Sequence, residues 1–173
     1  TDDNNCTASA NGSITIVVNP LPTATMSGST SICDGQSTAL DFNFTGTGPY
    51  NINYDINSTN TSAVLNNNID SIVVSPSATT TYSLINVTDA YCNNTASGTI
   101  IVTVNPLPSA SISGGGTLCA DGSTAQIDII ANGSAPFNVI YSDGFNNIAF
   151  NGTSSPYTFQ TNTAGTYTLN NIT

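Results

Sequence analysis

Tyrosine hydroxyls aside, the side chains able to hold a metal or carry acid–base chemistry reduce to four cysteines and ten aspartates. Histidine, lysine, arginine and glutamate are all absent from the 173 residues. Without histidine the usual general base is missing, and no pair of Asp-Thr/Ser-Gly segments offers aspartic-protease chemistry. A zinc site would need histidines or closely spaced cysteine pairs, and neither occurs. With no cation to neutralise phosphate, nucleic-acid binding is excluded. A phosphate loop of the Gly-Lys-Ser/Thr kind is excluded for want of its lysine. The net charge is −10, only 6% of residues are charged, and no ion pair between side chains can form. These residues predict a polar, acidic chain that is not an enzyme and has no cofactor, calcium being the one ion to consider.

For calcium the candidates are Asp2 and Asp3, in the oxygen-rich run Asp2-Asp3-Asn4-Asn5. Hard cations favour clustered carboxylate and amide oxygens. A later run, Asp89-Ala90-Tyr91, matches it with one acid fewer, and no EF-hand spacing is present. The competing reading is of solvated loop acids that keep the chain soluble and discourage edge-to-edge sheet pairing. Among the aromatics, Tyr82 and Tyr167 are expected to bond back to nearby backbone as tyrosine corners. Tyr50, Tyr54, Phe137 and Tyr141 are expected in the core. Tyr91, Phe145 and Phe150 remain as the spare rings on which a sugar could stack.

The elements that must position these residues follow from a repeat. Cys6 recurs as Cys92 and Cys33 as Cys119, each 86 residues on, and Asn19-Pro20-Leu21-Pro22 recurs as Asn105-Pro106-Leu107-Pro108. Leu40, Phe42, Pro49, Tyr50, Ile52 and Tyr54 reappear one residue later in phase as Ile127, Ile129, Pro136, Phe137, Val139 and Tyr141. Within each period apolar and polar residues alternate, as in Leu40–Phe44, Tyr50–Tyr54 and Phe137–Tyr141, which marks half-buried strands. Ile69–Val74, Thr80–Val87 and Ile100–Val104 are β-branched and aromatic runs of the same kind, separated by turn residues such as Asp34-Gly35 and Ser75-Pro76. No stretch has a helical period, and no apolar run approaches the ~20 residues that span a bilayer.

About seven short strands per period predict an all-β fold of tandem immunoglobulin-like or PKD-like β-sandwich repeats. The expected divisions are closing strands of a preceding repeat over 1–18, a proline linker over 19–22, and a complete repeat over 23–104. A second linker over 105–108 and an incomplete repeat over 109–173 follow. Proline favours extended backbone, so the repeats are expected end to end as a rod, each on the order of 40 Å long. The phase of the cysteines suggests structural disulfides. Cys33 with Cys92 inside one repeat is one pairing. Cys33 with the counterpart of Cys92 in the next repeat is another, and thiols are the third possibility; Cys6 and Cys119 are expected to find partners outside these residues.

The phrases Ser31-Ile32-Cys33-Asp34-Gly35-Gln36-Ser37 and Phe44-Thr45-Gly46-Thr47-Gly48-Pro49-Tyr50 carry a resemblance. So do Thr79-Thr80-Thr81-Tyr82, Val87-Thr88-Asp89 and Val102-Thr103-Val104-Asn105-Pro106-Leu107-Pro108. Together they resemble, over essentially the whole chain, the Ig/PKD-like repeats of very large Bacteroidota surface proteins, among them gliding-motility adhesins exported by type IX secretion. The resemblance implies an extracellular segment attached to the cell surface. Its partners would be neighbouring repeats and external surfaces or polysaccharide, with no nucleic acid and no membrane insertion here. A carbohydrate-binding module and a self-assembling filament or sheath subunit are the alternatives. Asp70-Ser71-Ile72 fits the Asp-Ser/Thr-aliphatic pattern of O-glycosylation in those bacteria, which makes Ser71 a modification candidate. Gly114-Gly115-Gly116 and the insertion at Cys119-Ala120-Asp121-Gly122 depart from the pattern.

Overall fold

A computed structural model describes residues 3–9 and 11–173. Contact density divides the chain into two units, residues up to Thr30 with Ser37–Thr103, and Ser31–Gln36 with Val104–Thr173. Every regular element among the described residues is a strand. The first eight are β1 (Thr23–Ser27), β2 (Thr30–Cys33), β3 (Thr38–Thr45), β4 (Tyr50–Ile56), β5 (Thr59–Leu65), β6 (Ile69–Val74), β7 (Thr80–Thr88) and β8 (Asn93–Asn105). They form sheets of order β1-β3-β6 and β2-β8-β7-β4-β5. Alternation along β3 and β4 turns Leu40, Phe42, Phe44, Tyr50, Ile52 and Tyr54 inward, all at most 7% exposed. Phe44 stacks on Tyr50 with centroids 4.5 Å apart. The core tyrosines and phenylalanine expected from the sequence, Tyr50, Tyr54, Phe137 and Tyr141, are all buried.

In β7 the inward residues are Tyr82, Leu84 and Val87, not three alternate positions. A bulge at Ile85 explains this, since Asn53 pairs with Asn86 while Tyr54 pairs with Leu84. An extra residue on one strand shifts the alternation by one and bends the strand. The hairpin between β4 and β5 turns through Asn57 and Ser58 with φ of 48° and 69°. Two successive positive values are the type I′ geometry that matches strand twist.

The second unit repeats the plan with β9 (Ser109–Gly114), β10 (Ala125–Asn132), β11 (Phe137–Ser142), β12 (Asn147–Gly152), β13 (Tyr157–Thr161) and β14 (Thr168–Ile172). Its sheets run β13-β10-β9 and β12-β11-β14. Ile129, Phe137, Val139 and Tyr141 form its buried centre. The bulge recurs, with Asn170 the extra residue between Leu169 and Asn171.

The strand expected within residues 1–18 is not formed among the described residues there. Ile14, Ile16 and Val18 alternate as a strand should, yet are 90%, 83% and 88% exposed. An alternating run becomes a strand only when a neighbouring edge takes its amides and one face is covered. In the first unit the corresponding place is already held by β8.

Candidate functional site

The acids are used by the turns that carry them. Asp89 follows β7 and is 8% exposed. Its Oδ2 accepts the Thr47 amide at 3.0 Å, and its Oδ1 accepts those of Tyr91 and Cys92 at 2.9 and 2.8 Å. The Thr47, Cys92 and Tyr91 amides, in that order, hold its carboxyl below the usual range. A Cβ at Gly46 would lie 2.5 Å from Oδ2, and Gly46 has φ of +119°. The carboxylate thus locks two loops together and keeps little acceptor capacity for an ion. Asp143 acts likewise on the β11–β12 loop, accepting the amides of Phe145 at 2.8 Å and Asn146 at 2.6 Å. Asp121 accepts the Ser123 amide at 2.9 Å. Of the calcium candidates, Asp3 is exposed and Asp2 lies outside the described residues. No group of three or more metal-ligating side chains converges among the described residues.

Two of the four cysteines, Cys33 and Cys92, lie at strand ends. Cys33 closes β2, and the next residue, Asp34, gives its amide to Asn105 O at the last residue of β8. Cys92 immediately precedes the first residue of β8. The 13 residues of that strand extend about 40 Å, and a disulfide requires Cα atoms within about 7 Å. The pairing of Cys33 with Cys92 inside one repeat is therefore not formed. Cys92 Sγ instead lies 3.9 Å from Asn19 O in the first linker. Cys6 Sγ is directed to Asn4 O at 3.8 Å, and Cys119 is an exposed thiol.

Ser71 is exposed on β6, an outer strand of its sheet. Its amide goes to Asp70 Oδ1 at 2.9 Å, and Asp70 also accepts the amides of Asn66 and Asn67. The spare aromatics separate into two kinds. Tyr91 and Phe145 are 65% and 79% exposed. Phe150 is not spare, because it stacks on Tyr157 with centroids 3.7 Å apart and packs against the core of the second unit. Tyr167 bonds back to Thr163 O at 3.3 Å and meets Thr161 Oγ1 at 2.7 Å, as a tyrosine corner should. In the first unit Tyr50, read from sequence only as core, also ties a loop: its hydroxyl donates to Gly46 O at 2.9 Å. Its four-residue spacing to Gly46 was the available signal.

Residues 22–99 match the family model of the Ig-like domain of the nucleoporin POM152. No curated protein matches the chain. The match and the facing sheets with their bulged seventh strand agree: the chain is built of Ig-like β-sandwich modules. No helix among the described residues is long and apolar enough to cross a membrane.

Proposed function

We propose that the chain is a structural repeat segment of a very large extracellular adhesin at a bacterial cell surface, similar to the gliding-motility adhesin SprB, whose work is mechanical reach in surface attachment. The observation that carries the reading is one 86-residue sequence period expressed as two Ig-like units with a repeated proline joint, while the turn acids are spent on their own loops. Lysine and arginine are absent, so trypsin has nothing to cut. Imaging of the native surface protein with antibody raised against these residues tests the reading. Labelled fibres projecting from the cell are expected, and label confined to the cell interior would overturn it. A carbohydrate-binding module would give specific micromolar binding on a glycan array, and the mechanical reading expects none. Calcium is not required on this reading: millimolar calcium should leave the melting temperature unchanged, whereas a rise would show that the folded chain binds the ion.

Successive repeats would be linked by sulfur across the joint. Cys92 lies beside Asn19, and Cys33 lies next to the residue that bonds Asn105. Asn19 and Asn105 are the same position of the repeat. A Cys33-type sulfur of one repeat and a Cys92-type sulfur of the next would then flank a single Asn-Pro joint. Non-reducing peptide mapping of the native protein should find that pair, and a Cys33–Cys92 peptide would refute it.

A further inference from the structure

We infer that the first unit carries a ligand site in the hollow at its β6–β7 loop, built around the hydroxyl of Tyr82, and that its ligand is the acetamido group of a neutral N-acetylated amino sugar. The inference concerns that unit alone and does not depend on the adhesin reading. It begins with a bond that is missing. The sequence predicts a tyrosine corner at Tyr82 and at Tyr167, and only the second forms. Tyr167 Oη meets Thr161 Oγ1 at 2.7 Å and donates to Thr163 O at 3.3 Å. In the first unit Val74 stands where Thr161 does. Leu40 pairs with Ile72 and its counterpart Ile127 with Phe159, and Val74 and Thr161 each follow two residues on. Valine has the shape of threonine without its hydroxyl. The carbonyl four residues before Tyr82, that of Ala78, accepts the Thr80 hydroxyl at 2.7 Å instead. Tyr82 is thus 3% exposed with no hydrogen-bond partner for its hydroxyl among the described residues.

A tyrosine hydroxyl in so buried a side chain ordinarily finds a partner. No fully buried polar side-chain atom among the described residues goes without one, so the Tyr82 oxygen is the part of that side chain that reaches an opening. The opening is a hollow of about 520 Å³, walled by Ile56, Asn57, Val74, Pro76 and Thr80 together with Tyr82. A volume of that order suits a small molecule, and apolar walls with a few convergent polar groups are the usual composition of such a site.

The polar groups choose the ligand. Asn57 Oδ1 accepts the Thr81 amide at 2.9 Å, and Thr81 O accepts the Asn57 amide at 2.9 Å. The turn therefore fixes this side chain and uses its acceptor, leaving Nδ2 as a donor beside that of Tyr82. Burial raises the Tyr82 phenol above 10.0, so its O–H is present at neutral pH. No charged side chain lines the hollow. A cation would find no counter-charge there, and an anion would approach a chain of net charge −10 with no lysine or arginine. What fits is a neutral oxygen acceptor with a small apolar group next to it. An acetamido group has both: its carbonyl oxygen takes the two donors, and its methyl rests on Ile56, Val74 and Pro76. Ser75 and Ser77, exposed on the rim, carry hydroxyls that donate and accept as those of a sugar ring require. A single group held this way binds with affinity of about millimolar order, far weaker than the micromolar binding that would mark a carbohydrate module.

Amide NMR of the isotope-labelled 173-residue chain, titrated separately with N-acetylglucosamine, glucose and N-acetylglycine methylamide, tests this. N-acetylglucosamine should shift the resonances of Asn57, Val74 and Tyr82 and saturate. Glucose, which lacks the acetamido group, and the capped glycine, which lacks the sugar, should bind at least about tenfold more weakly. Two variants separate the site from the fold. Tyr82→Phe removes a hydroxyl that the fold does not use, so it should leave the melting temperature nearly unchanged, whereas Tyr167→Phe should lower it and leave binding as it was. Val74→Thr gives Tyr82 the partner that Tyr167 has, and should keep or raise the melting temperature. Tyr82→Phe and Val74→Thr should each lose at least about tenfold in affinity. Absence of a saturable shift overturns the proposal, as does glucose binding equally well. Equal binding of the capped glycine would make this a peptide site and overturns it too. So would full affinity in either variant, or a loss of stability in Tyr82→Phe as large as in Tyr167→Phe, which would mean that the hydroxyl is already bonded within the fold.

Discussion

Gly46 and Asp89 depend on one another at the scale of single residues. A methyl at Gly46 would meet Asp89 Oδ2 at 2.5 Å and would sit on backbone with φ of +119°, a region that residues with a Cβ avoid. Gly46→Ala should therefore cost about 1–3 kcal/mol, read from chemical denaturation. Asp89→Asn keeps the size but gives up charge-assisted bonds to three amides, and its melting temperature should fall at pH 7 by more than it does in acid below the folded value of Asp89, where the wild-type acid is itself protonated. Tyr50→Phe removes the bonds to Gly46 O and Asn68 Oδ1 and should cost about 0.5–1.5 kcal/mol. These roles were poorly legible in the sequence. Asp89 looked like an ion ligand because a carboxylate shows its charge in a sequence but not the amides it accepts. Phe150 looked spare for a similar reason: Tyr157, its stacking partner, comes from another strand and another sheet.

At the scale of elements the sequence was far more explicit, because alternation is a direct image of a sheet's two faces. The strands at Leu40–Phe44, Tyr50–Tyr54, Ile69–Val74 and Thr80–Val87 form as their patterns require. The strand β5, Thr-Asn-Thr-Ser-Ala-Val-Leu, escaped notice since it is an outer strand with only Leu65 buried. The bulge was present in the spacing of Tyr82, Leu84 and Val87, and again of Tyr167, Leu169 and Ile172. Two steps of two and three in both copies signal an inserted residue, not a broken strand. The β4–β5 turn was hidden by its chemistry, Asn-Ser instead of Asn-Gly. Ser58 holds φ of 69°, where a left-handed residue with a Cβ loses about 1–2 kcal/mol. Ser58→Gly should therefore stabilise the chain by up to about 1 kcal/mol, part of the strain relief being offset by the greater entropy of unfolded glycine. A loss of stability would mean that the turn is not held in the type I′ form.

For the molecule as a whole, the sign of its charge governs how it answers to pH and salt. All ten charged side chains are negative, so long-range electrostatics in the folded chain are repulsive and no attraction between side-chain charges exists to be screened. Added salt should raise the melting temperature from low ionic strength and level off near 0.15 M, where the screening length is about 8 Å; a fall would disprove this account. Acid acts through the turns. Amide donors, those of Ser71, Thr47, Ser123 and Asn146 foremost, hold the carboxyls of Asp70, Asp89, Asp121 and Asp143 below 3.8. A depressed folded value means stability that is complete above 3.8 and lost as pH falls through the folded values. Alkali acts through the core, where burial raises Tyr54, Tyr82 and Tyr141 above 10.0. That contribution is complete below pH 10.0 and is lost as pH rises through the folded values. With no histidine or lysine to titrate between these limits, the melting temperature should be flat from about pH 5 to about pH 8 and fall on both sides. Calorimetry across that range checks it, and a slope near pH 6.5 would reveal a charge coupling that these side chains cannot supply.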